Sequence, residues 1–141
     1  MPEPDMSWVA PQETSTPRGG RPGRVATILV GLTAAPLLAY ASVRIVGQAW
    51  YDCGVGGAGG RFSLVFGVLP GLTLAGLVLY GVSIRILGRH WRPLAVAVGL
   101  AAIVALCYLY IGANATPADY PGDSDVCLPG NVPPWWPSWL P

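Results

Sequence analysis

The sequence has no lysine, one histidine (His90), and no carboxylate between Glu13 and Asp52 or between Asp52 and Asp119. Each gap excludes a kind of chemistry. A single histidine, with both methionines (Met1, Met6) close to the N-terminus, leaves the chain short of the ligands of a zinc or haem site. A proton-coupled exporter carries an acidic group inside a span, and no apolar run here holds one. No serine or cysteine nucleophile can be matched with the lone histidine on one side of a membrane. Charged residues amount to 11%, against roughly 25% in soluble domains. A net charge of +1 gives no footprint for nucleic acid. The expectation is therefore a non-enzymatic protein without cofactor, metal or nucleic-acid partner.

What is present is apolar. Hydrophobic residues make up 52% and the mean hydropathy is +0.50, the profile of an integral membrane protein. At 141 residues there is room for one small unit. Arginine as the only strong base, with abundant Ala, Gly, Val, Leu and Pro, fits a GC-rich coding bias.

The rest of the chain is oriented by Arg85-Ile-Leu-Gly-Arg-His-Trp-Arg-Pro93, which holds three arginines (Arg85, Arg89, Arg92) between two long apolar runs. Charge this dense belongs at a membrane surface, and short cytoplasmic loops carry the excess of basic residues. The turn is expected inside, which fixes every other segment. The predicted fold is an all-α, three-helix transmembrane bundle, N-in and C-out. Residues 1–23, broken by five prolines, form a disordered cytoplasmic tail with arginines at its membrane end. Transmembrane helices are predicted over 24–51, 62–86 and 93–113, each long enough for ~30 Å of hydrocarbon. A glycine-rich outer loop (52–61), the basic inner turn (87–92) and an outer Pro/Trp-rich tail (114–141) complete the chain.

In lipid, helices associate through close packing of small side chains. Stripes spaced by four are present at Gly31, Ala35 and Ala39, at Gly67 and Gly71, and at Ala97, Ala101 and Ala105. All three are expected to be packing faces. Pro36 leaves a carbonyl without its helical donor, to be satisfied by Thr33 or a neighbouring helix. Arg44 is the one charge inside an apolar run. It admits three readings: snorkelling to headgroups, contact with another subunit, or a cation on a transport path.

Cys53 and Cys127 fall on the same, outer side, whereas Cys107 lies within a span. A Cys53–Cys127 disulfide is expected, contributing roughly 3–5 kcal/mol by closing a long loop. Asp119, Asp123 and Asp125 read as a solvated acidic stretch, since too few ligands accompany them for calcium. In the last eleven residues, Trp135, Trp136 and Trp139 alternate with prolines that favour extended, polyproline-like geometry. Such a segment is either a tryptophan anchor in the headgroup layer or a docking surface for a partner.

The expected role is an accessory or assembly subunit of a larger cell-envelope complex. Its partners would be the lipid bilayer and either a membrane protein or further copies of itself. The alternative is a homo-oligomeric pore or small transporter. An envelope redox or stress protein is a third reading and requires a reactive Cys53 or Cys127.

Overall fold

The structure, a computed structural model, describes residues 22–55, 57–89, 91–116, 127 and 131–140. The N-terminal tail, His90 and Asp119, Asp123 and Asp125 lie outside these residues. Three helical rods follow one another up, down and up. The first, α1, is a single helix over Pro22–Asp52. The second is built from α2 (Ala58–Ser63), a π-helical turn (Leu64–Val68) and α3 (Leu69–Leu87) without a break. The third, α4, covers Arg92–Asn114. The rods are 31, 30 and 23 residues long, and each is long and apolar enough to cross a membrane. Each packs against the other two.

Local sequence explains where the rods end. Gly54 has φ 66°, the left-handed conformation that costs a residue without Cβ least. Around it the Gly54 N–H donates to the Tyr51 carbonyl (3.3 Å) and the Val55 N–H to the Trp50 carbonyl (2.8 Å). This pair of backward bonds is the Schellman arrangement that closes a helix C-terminus. The π-turn sits directly before Pro70. That ring offers no N–H to the Phe66 carbonyl and crowds it, so the backbone widens there. At the start of α4, Pro93 occupies the first turn, where a missing N–H has no cost. Helix α1 runs through Pro36. The Thr33 hydroxyl, expected to serve the Leu32 carbonyl freed by that proline, donates instead to Leu29 (2.9 Å) and Val30 (3.2 Å).

The second rod begins at Ala58, four residues before the expected boundary at 62. Gly59 and Gly60 are poor helix formers in water. The helix nonetheless runs through both.

Two buried clusters fill the bundle. One holds Ala35, Tyr80, Ile103 and Cys107; the other, toward the Asp52 end, holds Val43, Val46, Leu64, Ile111 and Ala115. Where the rods come closest, a Cβ added to Gly76 would stand 3.3 Å from the Ala35 Cβ and 3.6 Å from Ile103. The Tyr80 ring lies between glycines of the two other helices. A Cβ on Gly31 would overlap one edge of the ring, and a Cβ on Gly99 would lie 2.7 Å from its other edge. The Tyr80 hydroxyl donates to the Thr27 carbonyl at 2.8 Å.

Of the expected small-residue stripes, Gly31, Ala35 and Ala39 face this interior and are buried. The others do not. Ala97, Ala101 and Ala105 are exposed, and the packing face of α4 is Ala95, Gly99, Ile103, Cys107 and Ile111. A Cβ at Gly67 or Gly71 would meet nothing within 4 Å. Both sides of these helices carry small residues at the same spacing, and only the larger side chains between them decide which side turns inward.

Candidate functional site

The end of the bundle that carries Asp52 concentrates its unusual chemistry. The Schellman turn delivers Cys53 immediately after α1, buried at 1% exposure. Cys53 and Cys127 form a disulfide, with the sulfurs 2.01 Å apart and the Cα atoms 5.5 Å apart. The bridge returns the chain after α4 to the top of α1. Cys107 is a free thiol buried in the bundle.

Residues 131–140 then lie over the same end. The Trp136 N–H donates to the Pro133 carbonyl and the Leu140 N–H to the Pro137 carbonyl, both at 3.0 Å. These are two consecutive tight turns, not the extended polyproline geometry expected from composition. Pro134 stands at the second position of the first turn, where its fixed φ is pre-set for turning. Asn131 enters with φ 59°, a region asparagine tolerates better than most residues.

The turns split the three tryptophans. Pro133 is fully buried, and Trp136 and Leu140 pack, partly buried, on the Val43, Val46 and Ile111 cluster. Trp135 and Trp139 face outward, 47% and 70% exposed. Trp135 is nonetheless held in place, because its indole N–H donates to Asp52 Oδ2 at 2.7 Å. The other Asp52 oxygen accepts from Gln48 Nε2 at 2.8 Å. The Trp139 carbonyl accepts from the Tyr108 hydroxyl at 3.3 Å. The two neighbouring rings, Trp135 and Trp136, meet at a tilt with centroids 5.7 Å apart.

Trp50, in the last turn of α1, turns inward and is partly buried. Its indole N–H donates to the Asn114 carbonyl at 2.7 Å. It thus supplies a donor to the C-terminal end of α4, whose last carbonyls have no helical partner. Tyr51 stays exposed, with the Arg61 guanidinium 4.6 Å from its ring centroid, a cation–π distance. Arg61 lies on α2, whereas the glycines before it place it in a loop when read from sequence alone.

Arg44 lies beside it. A groove of about 240 Å³ between α1 and the second rod is lined by Arg44, Gln48, Tyr51 and Arg61 over the apolar floor of Val43 and Leu64. Arg44 is exposed in this groove and does not point into the bundle. Arg85, Arg89 and Arg92 are exposed as well, and lie at the opposite end from the disulfide. Compared with protein-family models, curated proteins and solved structures, the chain matches none.

Proposed function

We propose that this chain is a non-enzymatic accessory or assembly subunit of a larger membrane complex in the cell envelope. It spans the cytoplasmic membrane three times, with its N-terminus inside and its C-terminus outside. Six of the eight arginines (Arg18, Arg21, Arg24, Arg85, Arg89, Arg92) fall at one end of the rods in sequence, and that bias supports the orientation. The observation that carries the functional reading is the pair Trp135 and Trp139. Both rings face outward from a cap held by the disulfide, by the Asp52 hydrogen bond, by the buried Pro133 and by the partly buried Trp136 and Leu140. Exposed indoles on a pre-ordered support are the chemistry of binding hot spots, because little conformational entropy remains to be lost on docking.

The test is extraction of an N-terminally tagged copy from its host in mild detergent, followed by native mass measurement and identification of what accompanies it. A heteromeric complex of fixed stoichiometry is expected. The W135A/W139A variant should insert normally and lose the partner by at least about 30-fold, the equivalent of about 2 kcal/mol for a single hot-spot residue. Retention of the partner at unchanged affinity would remove the docking role and leave the tryptophans as a membrane anchor.

A pore reading needs several copies, since Tyr80 and Ile103 fill the space between the rods. In that case Arg44 would face the path between copies. Arg44→Leu would then change ion or solute flux severalfold in reconstituted vesicles. For the accessory subunit the expected result is no change.

A further inference from the structure

The end of the bundle away from the disulfide contains a second, larger cavity, of about 470 Å³. Three arginines from three different segments line it: Arg24 in the first turn of α1, Arg89 just after α3, and Arg92 opening α4. Arg92 reaches over the start of α1, where its Nη1 would lie 4.0 Å from a Cβ on Gly23. Ile28 and Ile84 also line the cavity. Ile28 lies one turn, about 6 Å, along α1 from Arg24, and Ile84 lies in the last turns of α3, five residues before Arg89, so the two give the cationic mouth an apolar wall.

The arrangement is electrostatically one-sided. Helix N-termini carry partial positive charge and favour anions. Two helices begin here, and neither has an acidic residue in its first turn. Arg24 and Arg92 stand where a carboxylate would be stabilising. The only carboxylate among the described residues, Asp52, is at the far end of α1. Three cations and two helix N-termini meet here, and no anion among the described residues balances them. Arginine's planar fork matches phosphate oxygens.

We propose that this cavity binds a phosphate group, carried by the headgroup of an anionic phospholipid whose acyl chains lie along Ile28 and Ile84. The proposal rests on the membrane reading of the three rods. Under the N-in orientation the site faces the cytoplasmic leaflet, where anionic lipid attracts basic segments.

The experiment uses the purified full-length chain in detergent, titrated with phosphatidylglycerol, phosphatidylcholine or inorganic phosphate, with bound ligand counted by native mass. Tight, selective binding of phosphatidylglycerol is expected. R89Q/R92Q should weaken it about 30-fold, from roughly fivefold per arginine near a membrane surface. R24Q alone should weaken it about fivefold on the same basis, and serves if the double variant loses its helical circular dichroism. R44Q/R61Q removes two charges at the other end and should leave the affinity within about twofold. Equal losses from both double variants, or no loss from either, would overturn the site. Inorganic phosphate binding as tightly as the lipid would assign the same cavity to a soluble phosphate. If phosphatidylglycerol binds only an E3Q/D5N/E13Q variant, the chain's own N-terminal carboxylates are the occupants and the lipid assignment falls. Insertion into phosphatidylcholine vesicles is scored separately. Failure there sinks the membrane reading together with the site, whereas insertion without anionic preference sinks the site alone.

Discussion

Tyr80→Ala is expected to destabilise the bundle by about 3–5 kcal/mol, the range for removing a buried aromatic ring whose surroundings cannot collapse. The ring has unusually little freedom to be replaced. Gly31 of α1 and Gly99 of α4 flank its two edges, at distances where any Cβ would collide with it. Those glycines permit the backbones of all three rods to approach around one side chain. Without a hydrophobic driving force between helices in lipid, contact of this kind is what holds them together. The hydroxyl is a smaller part of the effect. Tyr80→Phe removes only the bond to the Thr27 carbonyl, and interhelical hydrogen bonds in membranes average about 0.6 kcal/mol. Gly99→Ala should cost about 1–3 kcal/mol by overpacking. The sharper outcome is the double variant. A methyl at position 99 enters the space that Tyr80→Ala vacates, so G99A/Y80A should be less destabilised than the sum of its parts by at least about 0.5 kcal/mol. The measurement is reversible unfolding in mixed micelles, followed by circular dichroism. Strict additivity would mean that the two residues do not share one packing site.

Much of this architecture is legible in the sequence, and the reasons differ from element to element. Three apolar runs separated by a triple-arginine turn and a glycine-rich loop give three rods, because the length needed to cross hydrocarbon is set by geometry. Gly54 after Tyr51-Asp52-Cys53 is a readable helix stop. Pairing of Cys53 with Cys127 follows from both lying on one side while Cys107 is enclosed in a span. The inward faces are a different matter. In a soluble helix, polar residues mark the outside. In these rods the outward face is as apolar as the inward one, with Leu37, Phe66 and Leu109 exposed, so periodicity alone cannot separate Ala97 and Ala101 from Ala95 and Gly99. Tyr80 is visible only as a polar atom in a span, since the glycines that accept it are 49 residues before it and 19 after it.

The tryptophan cap and the basic cavity at the opposite end were legible to different degrees for the same reason. Composition marks the last eleven residues as an interaction surface. Which of the three indoles is buried depends on the two turns, and a prolyl segment accommodates turns as readily as extension. Arg89 and Arg92 are visible as a charge cluster, but their meeting with Arg24 requires the first and third rods to start at the same end. Chain direction, fixed by the odd number of rods, supplies that. The same up-down-up order brings Cys127 over Cys53 and places the tail above the start of its own first loop.

Breaking the bridge should therefore release the cap while leaving the rods standing. For C53S/C127S, the chain-entropy picture applied to a separation of 74 residues gives about 4 kcal/mol. That figure refers to a free chain. Here that stretch contains the whole of the second and third rods, and a helical hairpin that persists on unfolding keeps the two ends close, so the loss should fall nearer about 2 kcal/mol, the lower part of the observed range. Still holding the cap are the buried Pro133, the packing of Trp136 and Leu140 on the Val43, Val46 and Ile111 cluster, and the Trp135–Asp52 and Tyr108–Trp139 bonds. Helical circular dichroism should stay unchanged, while cleavage by a protease added on the tail side should accelerate by about 30-fold, the equivalent of that energy when opening is fast relative to cleavage. Adding Asp52→Asn to the bridge-free variant should raise the rate further, because a neutral amide is a weaker acceptor for the indole N–H than a carboxylate. An unchanged cleavage rate in both variants would show that packing alone orders the cap. Loss of helicity instead would mean that the bridge supports the rods, and that the cap and the bundle unfold as one unit.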